Sequence, residues 1–126
     1  ILASVLSLLF VWLSIQVIKR RRQLRVLLGA GGQQELEWAI RAQGNFAEYV
    51  PISLILIACA EFNKTDWRIL IVFAIFLLSG RVLHAYGFLF ARDNLDFRVR
   101  GMKLTFWVII TLALWNIGLI SYRANA

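Results

Sequence analysis

One cysteine, one proline and one histidine are all that this chain holds of the residues that most often mark a staple, a break or a catalyst. A single cysteine excludes an internal disulfide framework, and no zinc-ligand spacing is present. Acid is scarce too, with seven Asp and Glu against fourteen Lys and Arg, for a net charge of +7. Low-complexity sequence is nearly absent, which excludes a disordered chain. In a soluble protein so basic a balance would point to nucleic acid. Here no basic groove interleaved with aromatics exists, and the cations stand beside apolar runs, so no nucleic-acid partner is expected.

What fills the chain instead is hydrocarbon. Of its 126 residues 60% are hydrophobic, and the mean hydropathy is +0.71, above the composition of a soluble domain. The excess lies in long blocks, the mark of an integral membrane protein. Four blocks are expected to span the bilayer, at about 1–18, 38–62, 67–90 and 102–122, within one domain over 1–126. At ~1.5 Å per residue each approaches or exceeds a ~30 Å hydrocarbon core. The first run lacks a small-residue cleavage pattern after it, so it reads as a span and not a signal peptide, and the absence of an initial Met points to missing N-terminal residues. Gly29-Ala30-Gly31-Gly32 breaks the helix after span one. Pro51 lies inside span two and should kink it. Asn63-Lys64-Thr65-Asp66 is a tight turn with a helix N-cap at Thr65 or Asp66, and 91–103 reads as a short polar connection. Cys59, among aliphatic neighbours, reads as a small buried hydrophobe. Trp12 and Trp67 fit interfacial or lipid-facing positions.

Short connections imply an all-α membrane protein, a four-transmembrane-helix bundle running up-down-up-down. Lys19, Arg20, Arg21, Arg22 and Arg25 fill the first connection, and Arg92, Arg98, Arg100 and Lys103 the third. The second has only Lys64 and Arg68, and the tail only Arg123. The positive-inside rule therefore places connections one and three in the cytoplasm.

Against this apolar background one stretch stands out, Arg41-Ala-Gln-Gly-Asn45-Phe-Ala-Glu48-Tyr49-Val-Pro51. Arg41, Asn45 and Glu48 fall at i, i+4 and i+7, one stripe of a helix. Ionisable groups inside a span are costly unless they face protein or a water-filled cavity. Arg81 and His84 lie in the second half of span three. With the topology above, all of these converge near the cytoplasmic face, together with Arg21 at the end of span one and Arg100 at the start of span four. Four arginines against one carboxylate make a cationic pocket suited to a carboxylate-bearing ligand. Asn45, which donates and accepts, suits a peptide backbone. The plain alternative is that Arg41 and Arg81 snorkel to headgroups and Glu48 pairs with one of them for packing alone.

The 41–51 stretch matches the Arg-x-x-x-Asn-x-x-Glu-x-x-Pro signature of the MAPEG family, membrane-associated proteins in eicosanoid and glutathione metabolism. Arg21-Arg22-Gln-Leu-Arg25-Val resembles the basic end of span one in the leukotriene-synthase branch. Gly80-Arg81-Val-Leu-His84 resembles the span-three motif of the prostaglandin E synthase branch. The compact form is most similar to bacterial members, which resemble microsomal glutathione transferases. The resemblance implies a homotrimer in a bacterial inner membrane, with glutathione as co-substrate between subunits near the cytoplasmic face. By position, Arg21, Arg41, Asn45, Glu48, Arg81 and His84 would contact glutathione, joined by Tyr49 and Tyr86, and Arg100 would activate the thiol. No metal is implied. Phe88 and Leu104 replace tyrosines of relatives, and Gly101 replaces a serine held in one branch to activate the thiol. The expected function is a glutathione transferase or peroxidase acting on lipophilic electrophiles or hydroperoxides that arrive from the membrane lipids. The alternative is a non-catalytic lipid-binding member of the same fold. A transporter is disfavoured, because no inverted repeat or pair of broken helices is present.

Overall fold

The computed structural model describes residues 1–125. It consists of four helices, α1 (Leu2–Leu24), α2 (Gln34–Phe62), α3 (Trp67–Leu89) and α4 (Leu95–Ala124). Each is long and apolar enough to cross a membrane. The single-domain range 1–126 runs one residue beyond the described segment.

The helices outrun the apolar blocks that announced them, because charged residues propagate a helix as well as leucine does. Thus α1 continues through Lys19–Gln23, and α4 begins at Leu95, well inside the polar stretch expected to be connection. The reason is a cap: the Asn94 side chain accepts from the Asp96 N–H at 2.9 Å, and Asp96 sits in the first turn where the helix dipole favours a carboxylate. The same device settles the start of α3, where Asp66 and not Thr65 caps, accepting from Arg68 N–H at 2.8 Å. At its other end α1 stops on Arg25 in the left-handed region, φ 54°. The Val26 N–H then reaches back to the Arg21 carbonyl at 3.1 Å, closing the turn. Through Pro51, α2 remains one helix. The ring removes the N–H that would bond the Ala47 carbonyl.

Contacts at the two ends fix the up-down arrangement. At one end Trp115 Nε1 donates to Thr65 Oγ1 at 3.0 Å, and Arg123 reaches Asn63 of the α2–α3 turn. At the other, Arg92 after α3 pairs with Glu35 at the start of α2, 3.2 Å apart. The two arginine-rich connections therefore share an end, as the loop charges require.

Packing is uneven. The closest pair is α3 with α4, and α2 touches all three other helices. By contrast α1 buries only Leu6 and Leu13. The shared core includes Leu6, Leu13, Phe46, Val50, Phe73, Leu77, Val108 and Leu112. The exterior is as apolar as the core, with Ile52, Ile55, Val72, Ile75, Ile110 and Ile117 all exposed, which is the surface a bilayer requires. On that exterior lies Cys59, against its reading as a buried residue. In a membrane helix an aliphatic neighbourhood does not distinguish the lipid face from the core. Trp12 and Trp67 are exposed, as expected.

Candidate functional site

In the interior of the bundle, on α3, lies one fully buried guanidinium. About 21 Å of helical rise separates Arg81 from Trp67 at the far end of α3, which sets it inside the hydrocarbon depth. It is 1% exposed. Its Nη1 donates to Asn45 Oδ1 at 2.8 Å, its Nη2 lies 3.4 Å from Met102 Sδ, and its Nε has no partner. The Tyr49 ring stands 5.9 Å from its Cζ. No carboxylate touches it: among the described residues the one ion pair is Arg92–Glu35. Amide, thioether and ring face satisfy part of the donor set and none of the charge.

One turn along α3, His84 is 5% exposed, with its ring 5.1 Å from that of Phe88. Phe88 in turn forms one wall of a slot for Arg98. The Arg98 guanidinium sits 4.9 Å from the Phe88 centroid and 4.8 Å from that of Trp38, and it donates to the Arg92 carbonyl at 3.2 Å. Stacking of this kind is favourable for arginine and leaves its charge uncompensated. Arg81, His84, Arg92 and Arg98 thus gather on the arginine-rich side with Glu35 as the only acid in contact with any of them.

Glycine makes this crowding possible. A Cβ on Gly101 would lie 2.6 Å from the Gly80 carbonyl oxygen and 2.7 Å from the His84 nitrogen. A Cβ on Gly87 would lie 2.7 Å from Arg98 Cγ. Small residues at such crossings let two membrane helices approach backbone to backbone. The missing serine at 101 is therefore a packing requirement here, since any side chain would push α4 off α3 at the level of His84. Gly101→Ser is expected to destabilise the protein by about 2 kcal/mol or more, an overpacking cost against rigid backbone. Gly118→Ala, where a Cβ meets nothing within 4 Å, should be neutral or slightly stabilising. Thermal unfolding of the two variants in detergent checks the contrast.

The residues singled out from sequence separate into two groups. Asn45, Tyr49, Arg81 and His84 come together inside the bundle. Arg41, Glu48, Tyr86 and Arg100 are exposed on its surface. Arg21 is partly buried at the foot of α1, donating to the carbonyls of Leu27 at 3.4 Å and Gly29 at 2.8 Å. Neither Arg41 nor Glu48 has an ion-pair partner among the described residues, so the pairing of Glu48 with Arg41 or Arg81 for packing does not occur within the chain. A bare carboxylate on a spanning helix costs several kcal/mol against lipid, and this face of α2 calls for cover by protein or water. Arg98, Trp38 and Met102 were not legible as site residues. Arg98 read as a topology marker, and only the αL-free run of α4 from Asn94 turns it inward.

Between α1 and α2 lies an apolar groove of about 370 Å³ whose lining includes Leu6, Phe10, Phe46, Val50, Pro51 and Leu54.

Comparison with known proteins adds one consistent finding. A family model, that of the MAPEG family, matches residues 1–118. The inner membrane protein YecN of Escherichia coli strain K12 is 38% identical over 117 residues, 92% of this chain and 88% of that protein. Its counterpart in Escherichia coli O6:H1, strain CFT073, matches to the same extent.

Proposed function

The chain belongs to the MAPEG family, and on that premise we propose that it is a glutathione-dependent enzyme of a bacterial inner membrane, acting as a homotrimer on lipophilic electrophiles or hydroperoxides. The observation that carries this reading is Arg81: a buried guanidinium with an unpartnered Nε and no acid beside it fits a ligand that brings its own carboxylates. Asn45, already bound to Arg81, keeps its amide N–H donors free for a peptide carbonyl. The exposed stripe of Arg41 and Glu48 is accounted for if a second subunit covers it, with glutathione held in the seam. There Glu48 would receive the ammonium group, and Arg41 and Arg21 the carboxylates.

Bound glutathione supplies the chemistry: its sulfur, as the thiolate, forms a carbon–sulfur bond and displaces the electrophile's leaving group, or two molecules are oxidised to the disulfide as a hydroperoxide is reduced to alcohol and water. The residues of the chain bind, orient and stabilise charge. Arg100, in the second turn of α4, is the cation assigned to the sulfur. The apolar groove of Phe10, Phe46 and Pro51 gives a lipophilic substrate an approach from the bilayer.

Glutathione titration of the purified oligomer, followed by ultraviolet absorbance of the thiolate, tests the reading. Saturable binding is expected, with Glu48→Gln weakening it by about tenfold, as for one charge-assisted hydrogen bond, while native mass spectrometry still reports a trimer. Equal affinity in wild type and Glu48→Gln would return the stripe to a packing role. The lipid-binding alternative draws on the same apolar groove, and it predicts retained lipid with no glutathione conjugation.

A further inference from the structure

At the foot of α1 the structure gathers charge that nothing in the protein offsets. Lys19, Arg20, Arg21, Arg22 and Arg25 fall within seven residues, and no Asp or Glu occurs before Glu35, which is engaged by Arg92. Arg20 donates to Gln16, and Arg21 to two loop carbonyls. Lys19, Arg22 and Arg25 are exposed.

The chain then folds back on this cluster. The left-handed turn at Arg25 and the Val26-to-Arg21 hydrogen bond reverse its direction. Gly31, φ +57°, packs so close that a Cβ there would lie 2.9 Å from Val26 Cγ2. A concavity of about 470 Å³ results, lined by Arg21, Arg22, Arg25, Val26 and Leu27. At its rim Leu27 is 92% and Leu28 88% exposed. The α2–α3 turn and the α3–α4 connection carry no leucine, isoleucine or valine.

Two bare leucines beside uncompensated arginines are a poor surface for water and a good one for the boundary of a bilayer. The uncharged run of α1 ends at Ile18, so Lys19 to Arg25 descend by about 9 Å of helical rise, roughly the depth of the headgroup layer. We propose that the foot of α1 and the loop Val26–Gly29 form a binding site for an anionic phospholipid, its phosphate held by Lys19, Arg22 and Arg25 and its upper acyl chains covered by Leu27 and Leu28. The leucine pair selects a lipid over a soluble phosphate, because covering apolar surface is favourable and a free ion brings none to cover it with. The site uses no residue assigned to glutathione except Arg21, whose part is to staple the loop, and it does not depend on that reading.

The test is reconstitution in vesicles of phosphatidylcholine with one fifth phosphatidylglycerol, extraction, and native mass spectrometry of the retained lipid. Phosphatidylglycerol is expected to be enriched over phosphatidylcholine in the wild type. The triple variant Lys19→Gln/Arg22→Gln/Arg25→Gln should lose at least tenfold of that preference, since each cation near the surface is worth about 1 kcal/mol. Lys64→Gln/Arg68→Gln, which neutralises the opposite end, should keep it. Leu27→Ser/Leu28→Ser, which leaves every charge in place, should reduce the retained phosphatidylglycerol several-fold. Retention in the triple variant equal to wild type, an equal loss in Lys64→Gln/Arg68→Gln, or displacement of the lipid by millimolar inorganic phosphate would each overturn the assignment.

Discussion

Arg81→Gln is expected to weaken glutathione binding by about 10- to 100-fold, while the ligand-free protein becomes no less stable and gains in melting temperature. The two halves of this outcome have one origin. A buried cation without a counter-ion is an electrostatic cost to the empty protein, and removing it relieves that cost. The same cation, when a carboxylate arrives, forms charge-assisted hydrogen bonds worth about 1.5–3 kcal/mol, the range that gives the stated loss. Glutamine can still donate to Asn45 Oδ1, so the amide is not orphaned. Arg81→Lys should recover part of the affinity, since it restores charge without the fork that serves Asn45 and the ligand together. Isothermal titration and thermal unfolding of the three proteins make the comparison. Lower stability with unchanged affinity in Arg81→Gln would reassign Arg81 to packing.

Arg100→Ala is expected to lower the rate of glutathione conjugation by on the order of 10- to 1000-fold, with binding preserved. A free thiol, with a pKa of ~8.5, is only a few per cent ionised at neutral pH, and the thiolate is the nucleophile. A guanidinium within a few ångströms favours the ionised form, and arginine remains charged when partly desolvated. Arg100 is exposed and has no ion-pair partner among the described residues. Its chain neighbour Gly101 offers no hydroxyl to share the role. If Arg100 only marks the membrane boundary, Arg98 and Lys103 compensate and turnover stays near normal. The rate of thiolate formation by stopped flow, set beside the dissociation constant, separates the two. Wild-type turnover in folded Arg100→Ala ends the catalytic role.

Much of this architecture was legible in the sequence, for identifiable reasons. Four helices follow from four long apolar blocks, since backbone polar groups in lipid leave no other solution. Their direction follows from where the arginines lie. The depth of the polar residues was legible too, because a residue's height is fixed by its distance from the nearest loop. Which way each one faces was not. Asn45 and Glu48 share a stripe by spacing, yet Asn45 turns to Arg81 and Glu48 to the outside, a difference of less than one turn. In a soluble helix the polar face would have revealed the rotation. Here both faces are apolar, and Cys59 was misplaced for the same reason. The start of α4 was misjudged because hydropathy tracks the lipid boundary, whereas Asn94 and Asp96 set the helix. Gly101 could be seen only as a departure from relatives until the Gly80 carbonyl was found against it.

Arg81 also poses a problem of timing. A chain enters the bilayer from its N-terminus, so α3 is handed to the lipid before Met102, whose sulfur lies against its guanidinium, has been made. Of the side chains that finally contact that guanidinium, Asn45 and Tyr49 on α2 precede it in synthesis. Asn45 is then an escort for a charge in transit, and its loss should show first as poor insertion and degraded nascent protein, before any effect on the finished protein is measured.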